Sequence, residues 1–332
     1  MKVVTRSFLI LMASLTLLGS TLRAQQIPVT RVERIKPGEA GGRQTSRALT
    51  VVAGTKSDRQ SYPVAVAVIG NRAYVSDSAS NSILVYPAQA TAAAAAARSF
   101  GTTGVGPAQF KDPRGLAGDA KGNVYIADSG NDRVQKLSPE GKFISQIGTP
   151  GSGKGQLKSP YGVAVDSSGN IYVADTGNHR IQKFSAQGAS VAVWGSQGQG
   201  QGQFFYPQAV AVDSKGDVYV ADFANHRIQK FDGSGKFLAT WGQFGSRPGE
   251  FNYPSSISID SHERIWVTDL LNHRLQTFSL DGKLLSSVGS FSPNASSNGE
   301  FNFPRGVSVS SSGDLWLAHP GVHSVDHFKV ER

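Results

Sequence analysis

Short apolar runs rich in Val, Ile, Tyr and Phe recur along the chain, each bounded by Gly, Asn, Asp or Ser. In one stretch, residues 162–166, 170–175, 180–184 and 190–194 read as four successive strands. The intervening turns, such as Ser-Ser-Gly-Asn at 167–170 and Ser-Lys-Gly-Asp at 214–217, place Gly where a tight hairpin needs positive φ. No helical periodicity competes with this pattern.

The four-run unit repeats. Its opening prolines, Pro63, Pro113, Pro160, Pro207, Pro254 and Pro304, are separated by 50, 47, 47, 47 and 50 residues. A second landmark, the Asp that closes each Tyr-Val-Ala-Asp element, keeps the same register at Asp77, Asp128, Asp175, Asp222 and Asp269, with His319 in the sixth slot. A period of roughly 40 to 50 residues suits a four-stranded blade. Six units therefore predict an all-β fold: a six-bladed β-propeller of four-stranded antiparallel blades, because each sheet has two apolar faces that only neighbouring blades can cover. The sixth unit offers three strands, 307–309, 314–318 and 325–330. Residues 49–54 match the Phe100-Gly101, Ile147-Gly148, Trp194-Gly195, Trp241-Gly242 and Val288-Gly289 strand endings, so they are expected to complete the last blade and leave no free edge.

Composition divides the chain further. Residues 1–24 carry Lys2 and Arg6, then an uncharged stretch from Ser7 to Leu22 with an apolar centre, which reads as an export signal cut after Ala24. The apolar centre is shorter than the roughly 20 residues a bilayer span needs, so no transmembrane segment is expected. Residues 25–48 read as a flexible basic leader, and 49–332 as the propeller. The alanines at 92–97 read as a lengthened turn in the first blade. There is no Cys, so disulfides and thiolate chemistry are excluded. The formal charge is +9, but the signal contributes three of these and residues 25–59 four, leaving about +2 on the rest. Without a basic stripe on the propeller, no nucleic-acid partner is expected.

The units at 173–184 (Val-Ala-Asp-Thr-Gly-Asn-His-Arg-Ile-Gln-Lys-Phe) and 220–231 (Val-Ala-Asp-Phe-Ala-Asn-His-Arg-Ile-Gln-Lys-Phe), with a close variant at 265–278, resemble NHL repeats. The resemblance extends over 49–332 and implies an exported bacterial-type six-bladed propeller. Families with this repeat include peptidyl-α-hydroxyglycine amidating lyases, RNA-binding TRIM-type proteins, receptor-kinase sensor domains and secreted bacterial proteins, so it implies a fold and not one function. In the amidating lyases a His commonly follows the strand-opening proline and binds zinc at the channel. The matching residues here are Val64, Arg114, Tyr161, Gln208, Ser255 and Arg305. The sequence departs from the lyases at that position in every blade.

The most conspicuous chemistry is the set Asp175, His179, Arg180 and its copies Asp222, His226, Arg227 and Asp269, His273, Arg274. A set repeated in successive blades is spread around a ring, whereas catalysis needs convergence on one point. We therefore expect a structural role, with the Asp accepting from its turn and from Arg or His, and with Asp132 and Ser82 filling the His slot in blades 2 and 1. The innermost strands carry only small residues at alternate positions, among them Ala65, Gly115, Gly162, Ala209, Ser256 and Gly306, so no metal site is expected from them. The Gly-Gln run at 198–203 reads as a flexible inter-blade loop.

The loops that precede the first strands share a face with those between second and third strands. That face collects the residues that vary between units. Our reading places a binding site there, formed by Arg114, Tyr161, Gln208, Phe223, Leu270, Leu271 and Arg305, with the apolar members exposed beside the polar ones. The expected function is a non-enzymatic, secreted or periplasmic monomer that binds a protein, peptide or glycan in the envelope or outside the cell. No catalytic residue, cofactor or metal is assigned. The alternative is a divergent, amidating-lyase-like lyase or hydrolase acting at the channel mouth, with Arg114, Tyr161, Arg305 and the exceptional His319 as contributors.

Overall fold

The computed structural model describes residues 34–35, 49–52, 61–88, 98–291 and 300–330. The expected signal, most of the leader and the alanine run at 92–97 lie outside the described residues. Six antiparallel sheets follow one another around a ring, and no α-helix occurs among the described residues. Blade 4 shows the plan, with strands Pro207–Val212, Val218–Asp222, Arg227–Phe231 and Phe237–Trp241 pairing in sequence order. In blade 6, Gly306–Val309, Asp314–His319 and Ser324–Val330 pair in order, and Leu49–Val52 runs antiparallel to the last of these. Arg34–Ile35, within the segment read as a leader, lies parallel to Lys329 and Val330 on the same strand.

The core is distributed. Six apolar clusters each lie between two adjacent blades, from Tyr74, Ile83 and Val124 between blades 1 and 2 to Val66, Tyr86 and Trp316 between blades 6 and 1. Every seam of the ring is therefore packed. Second strands have both faces covered and are buried throughout, which is why Ile171–Asp175 and Val218–Asp222 read as continuous apolar runs. The loops leaving blades 1 to 5 each insert one large apolar side chain, Phe110, Leu157, Phe204, Phe251 and Phe301 in turn, all fully buried. This explains the Gly that ends the fourth strands. At Gly195, φ is +98° and a Cβ would meet the Phe204 ring at 2.5 Å.

The repeated Asp holds the blade together, as expected, but with a different set of partners. Asp222, 0% exposed, accepts from Arg227 Nε at 2.8 Å, Asn225 Nδ2 at 2.9 Å and Gln229 Nε2 at 3.0 Å, and its other oxygen accepts from Phe205 N at 2.8 Å. Arg227 then donates to the carbonyls of Gln199, Gly200 and Gln203. The Gly-Gln loop is thus pinned by charge-assisted bonds to three of its carbonyls, where the sequence had suggested a flexible connection. Asp128, Asp175 and Asp269 form the same clamp.

The His of the motif belongs to the seam, not to the clamp. It occupies a left-handed residue, φ 55° at His179, 56° at His226 and 52° at His273, a conformation that Asn, Asp and His tolerate best. From there His179 Nδ1 accepts from Tyr206 N at 3.1 Å, His226 Nδ1 from Tyr253 N at 3.1 Å and His273 Nδ1 from Phe303 N at 3.2 Å, each donor lying in the next blade. Asp132 makes the same bond to Ser159 N, and in blade 1 it is Asn81, bonded to Asp112 N, that fills the slot. The pairing Asp77↔Ser82 corrects the sequence reading, since it aligns Ser82 with the repeat Arg. At the last seam the polarity reverses: His323 Nδ1 lies 2.5 Å from Ser61 O, a carbonyl that can only accept.

Two expectations follow from the clamp and the seam bonds. Arg227→Met strands a carboxylate at 0% exposure, and thermal or urea denaturation should show a loss of about 3–5 kcal/mol; a loss below about 1 kcal/mol would mean the loop is held by other contacts. The seam imidazoles must be neutral to accept, and burial holds the pKa of His179, His226 and His273 below its ordinary value. The unfolded chain then takes up protons first, so these bonds contribute fully above a pH of about 6.5 and are lost as pH falls through the depressed folded values. Stability should drop on acidification by about 1 kcal/mol per seam. The triple variant His179→Asn, His226→Asn, His273→Asn keeps an acceptor that does not titrate and should flatten that part of the pH profile; an unchanged profile would remove the seams as its source.

Candidate functional site at the channel mouth

The first strands of all six blades line the axis, and the channel between them is open at both ends. One end is a cavity of about 400 Å³ walled by Val68, Ile69, Val165, Val212 and Ile259, with Asp119 at its edge. The other, on the face of the strand-opening prolines, narrows to about 60 Å³. It is narrow because neighbouring first strands nearly touch. A Cβ at Gly162 would fall 2.6 Å from Gln208 O and 2.9 Å from Ala209 Cα. The small residues that made the inner strands look chemically bland are the ones this approach requires.

Tyr161, Gln208, Ser255 and Arg305 line the narrow mouth, each directly after its blade's proline. Blades 3 and 6 are opposite one another, yet their residues meet: the Arg305 Cζ lies 5.4 Å from the centre of the Tyr161 ring. Arg114 of blade 2 lies 5.1 Å from the same centre and donates from Nη1 to the Tyr161 hydroxyl at 3.3 Å. Its Nη2 is bound to Asp112 Oδ2 at 2.6 Å. Burial opposes the Arg114 charge, but Tyr161 and Asp112 outweigh it and hold the guanidinium pKa above its ordinary value. Two arginines thus share one ring, at a distance where each gains cation–π attraction.

Arg305 is fixed from behind. Its backbone carbonyl accepts from both Ser255 Oγ and Thr268 Oγ1 at 3.1 Å, and its N–H donates to Ala318 O. Among the described residues no carboxylate lies within 4 Å of its guanidinium, and its Nε is buried without a hydrogen-bond partner. Gln208, 7% exposed, has its Oε1 in the same condition. Sequence reading selected Arg114, Tyr161, Gln208 and Arg305 by their slot after the proline. It missed Asp112, which pairs with Arg114 two residues on, and it missed Ser255 and Thr268, whose roles depend on which blade lies alongside.

The apolar candidates do not join this cluster. Phe223, expected to be exposed, is 6% exposed and packs on Tyr253 of the next blade, ring centres 4.7 Å apart. Its counterpart Thr176 instead hydrogen-bonds to Pro207 O, and Ser129 to Pro160 O, across the seam. At Phe223 ring packing replaces that hydroxyl bond, so its side chain fills the seam and is not a free surface. Leu270 and Leu271 remain partly exposed at the corresponding turn of blade 5 and do not line the mouth. His319 is enclosed in blade 6, 3.4 Å from Asp326 and against Phe301, with burial driving its pKa down to about 3. It is neutral, inside the blade, and not part of the mouth.

Comparison with known proteins agrees with this architecture. NHL repeats match residues 157–184, 204–231 and 251–278, and a model of the SMP-30/Gluconolactonase/LRE-like region matches residues 68–157. No curated protein matches the sequence. Among solved structures, a streptogramin B lyase is similar with a TM-score of 0.60 and 14% identity, over 85% of this chain and 97% of that one. An auxiliary nutrient binding protein from Bacteroides thetaiotaomicron gives 0.59 and 12%, over 86% and 76%. A chain of a nidogen/laminin complex gives 0.55 and 17%, over 75% and 90%. At these identities the likeness is one of fold alone. The chain is a six-bladed β-propeller that carries NHL repeats in its third, fourth and fifth blades.

Proposed function

We propose that this protein is an exported, non-enzymatic propeller, secreted or periplasmic, that binds a protein, peptide or glycan on its channel-mouth face as a monomer and without a cofactor. The observation that carries the reading is the charge imbalance at the mouth: two guanidiniums on one tyrosine ring, with a single carboxylate among the described residues, Asp112, in salt-bridge reach of either. A charged donor held rigid and left without a partner gains most from a ligand that supplies one. Leu270 and Leu271 extend the face with apolar surface. Propellers of this shape include a nutrient-binding protein and a member of a nidogen/laminin complex, which supports the reading by shape only.

A second reading draws on the bond from Arg114 to the Tyr161 hydroxyl, which fixes a phenol, a group able to transfer protons, at the mouth. On that reading the protein is a divergent lyase or hydrolase with the fold of the streptogramin B lyase. The two separate experimentally. Peptide and glycan arrays probed with the protein should give signals that fall at least about tenfold in Arg305→Ala and in Leu270→Ser/Leu271→Ser. Signals unchanged in both would move the site off this face. A demonstrated turnover that survives in both Arg114→Ala and Tyr161→Phe would end the assignment of catalysis to these residues.

A further inference from the structure

The binding reading leaves open which chemical group the mouth takes, and the side chains there narrow it. Arg305 presents its guanidinium with no carboxylate of the described residues in reach and with Nε buried and unpartnered. Gln208 lines the same cavity and its amide oxygen is buried without a partner, so the amide is free to turn about its last torsion and offer N–H to a ligand without breaking any bond of that oxygen. The mouth is therefore built to surround an acceptor. Arg114 adds charge across Tyr161, already half-compensated by Asp112.

Size limits the acceptor. A cavity of about 60 Å³ holds roughly two waters. A planar, singly charged carboxylate fits that space and matches the guanidinium fork. A phosphate group is larger and brings more charge than one uncompensated arginine balances, and a sulfate ester, though singly charged, is bulkier than a planar carboxylate. The group must also arrive on a thin stalk, because a mouth of about 60 Å³ bordered by the Tyr161 ring and the Arg305 side chain leaves no space for a sugar ring to follow. A uronic acid carries its carboxylate directly on the sugar ring. A glutamate side chain carries it on two methylenes.

Building on the proposed binding function, we infer that the channel mouth is a receptor for the side-chain carboxylate of an acidic peptide, held by Arg305 and Gln208 with Arg114 and Tyr161 as the opposite wall. Ser255 and Thr268 act as positioning residues, since their hydroxyls donate to the Arg305 carbonyl and fix that residue's backbone.

The test uses the whole purified protein and titrations followed by NMR or calorimetry. Propionate, which reproduces the glutamate side chain, is compared with propionamide, glucuronate and inorganic phosphate, and the tripeptide Ac-Ala-Glu-Ala-NH2 with Ac-Ala-Gln-Ala-NH2. The expected result is saturable binding of propionate and of the Glu peptide, with the neutral analogues at least about tenfold weaker. Arg305→Gln should erase that preference, and Arg305→Lys should keep the charge but lose most of the affinity. Equal affinity for Glu and Gln peptides, or no saturable binding of either carboxylate, overturns the inference on wild-type protein alone, so a misfolded variant cannot protect it. Glucuronate or phosphate binding as tightly as propionate overturns the choice of a peptide carboxylate. Array signals that still depend on Leu270 and Leu271 after such a failure would leave the broader binding reading standing, whereas loss of both would end the two together.

Discussion

Everything in this propeller hangs on a carboxylate placed where water cannot reach it. An Asp at the end of a buried second strand is costly unless its oxygens are filled, and here the fillers come from three pieces of chain: the adjoining turn, the third strand and the loop arriving from the previous blade. One buried charge therefore orders a loop that would otherwise have had no reason to hold a shape. That loop delivers the next proline and the residue after it to the axis. The geometry of the mouth is set, at one remove, by a charge that never approaches it.

Much of this was legible in the sequence. Two landmarks in one register gave the number of blades, and within blade 3 the strands fall at Val163–Val165, Ile171–Asp175, Arg180–Phe184 and Ser190–Trp194, within a residue of their expected bounds. Periodicity carries this information because a strand's pattern is local. The repeated Asp, His and Arg were rightly read as structural, since a motif copied around a ring cannot converge.

What escaped the sequence was everything decided by the neighbouring blade. The His appeared to be a partner of its own Asp, four residues earlier, but its left-handed backbone turns it toward an amide 27 residues on, or 30 at His273. Phe223 seemed an exposed loop aromatic until Tyr253 was found against it. Blade 6 inverts the clamp, with His319 on the second strand and Asp326 two residues past the position of the repeat Arg, and no local pattern announces that exchange. At the mouth, the residue types were evident, but the meeting of Arg114 and Arg305 over Tyr161 depends on how far apart opposite blades stand, and that distance is a property of the closed ring.

The six separate cores have a consequence for how such a molecule comes apart. A single central core fails as a whole, but a circle of pairwise contacts resembles a chain of beads in which each bead answers only to its two neighbours. Opening one junction releases no other, so the ring passes through a slit form, like a split washer, before any blade loses its own strands. The chain crosses the junction between the last blade and the first as it does the others, from Leu49–Val52 on blade 6 to Pro63–Ile69 of blade 1, but there the imidazole donates instead of accepting. One junction of the circle is thus set apart by a bond whose direction differs from those of the other five.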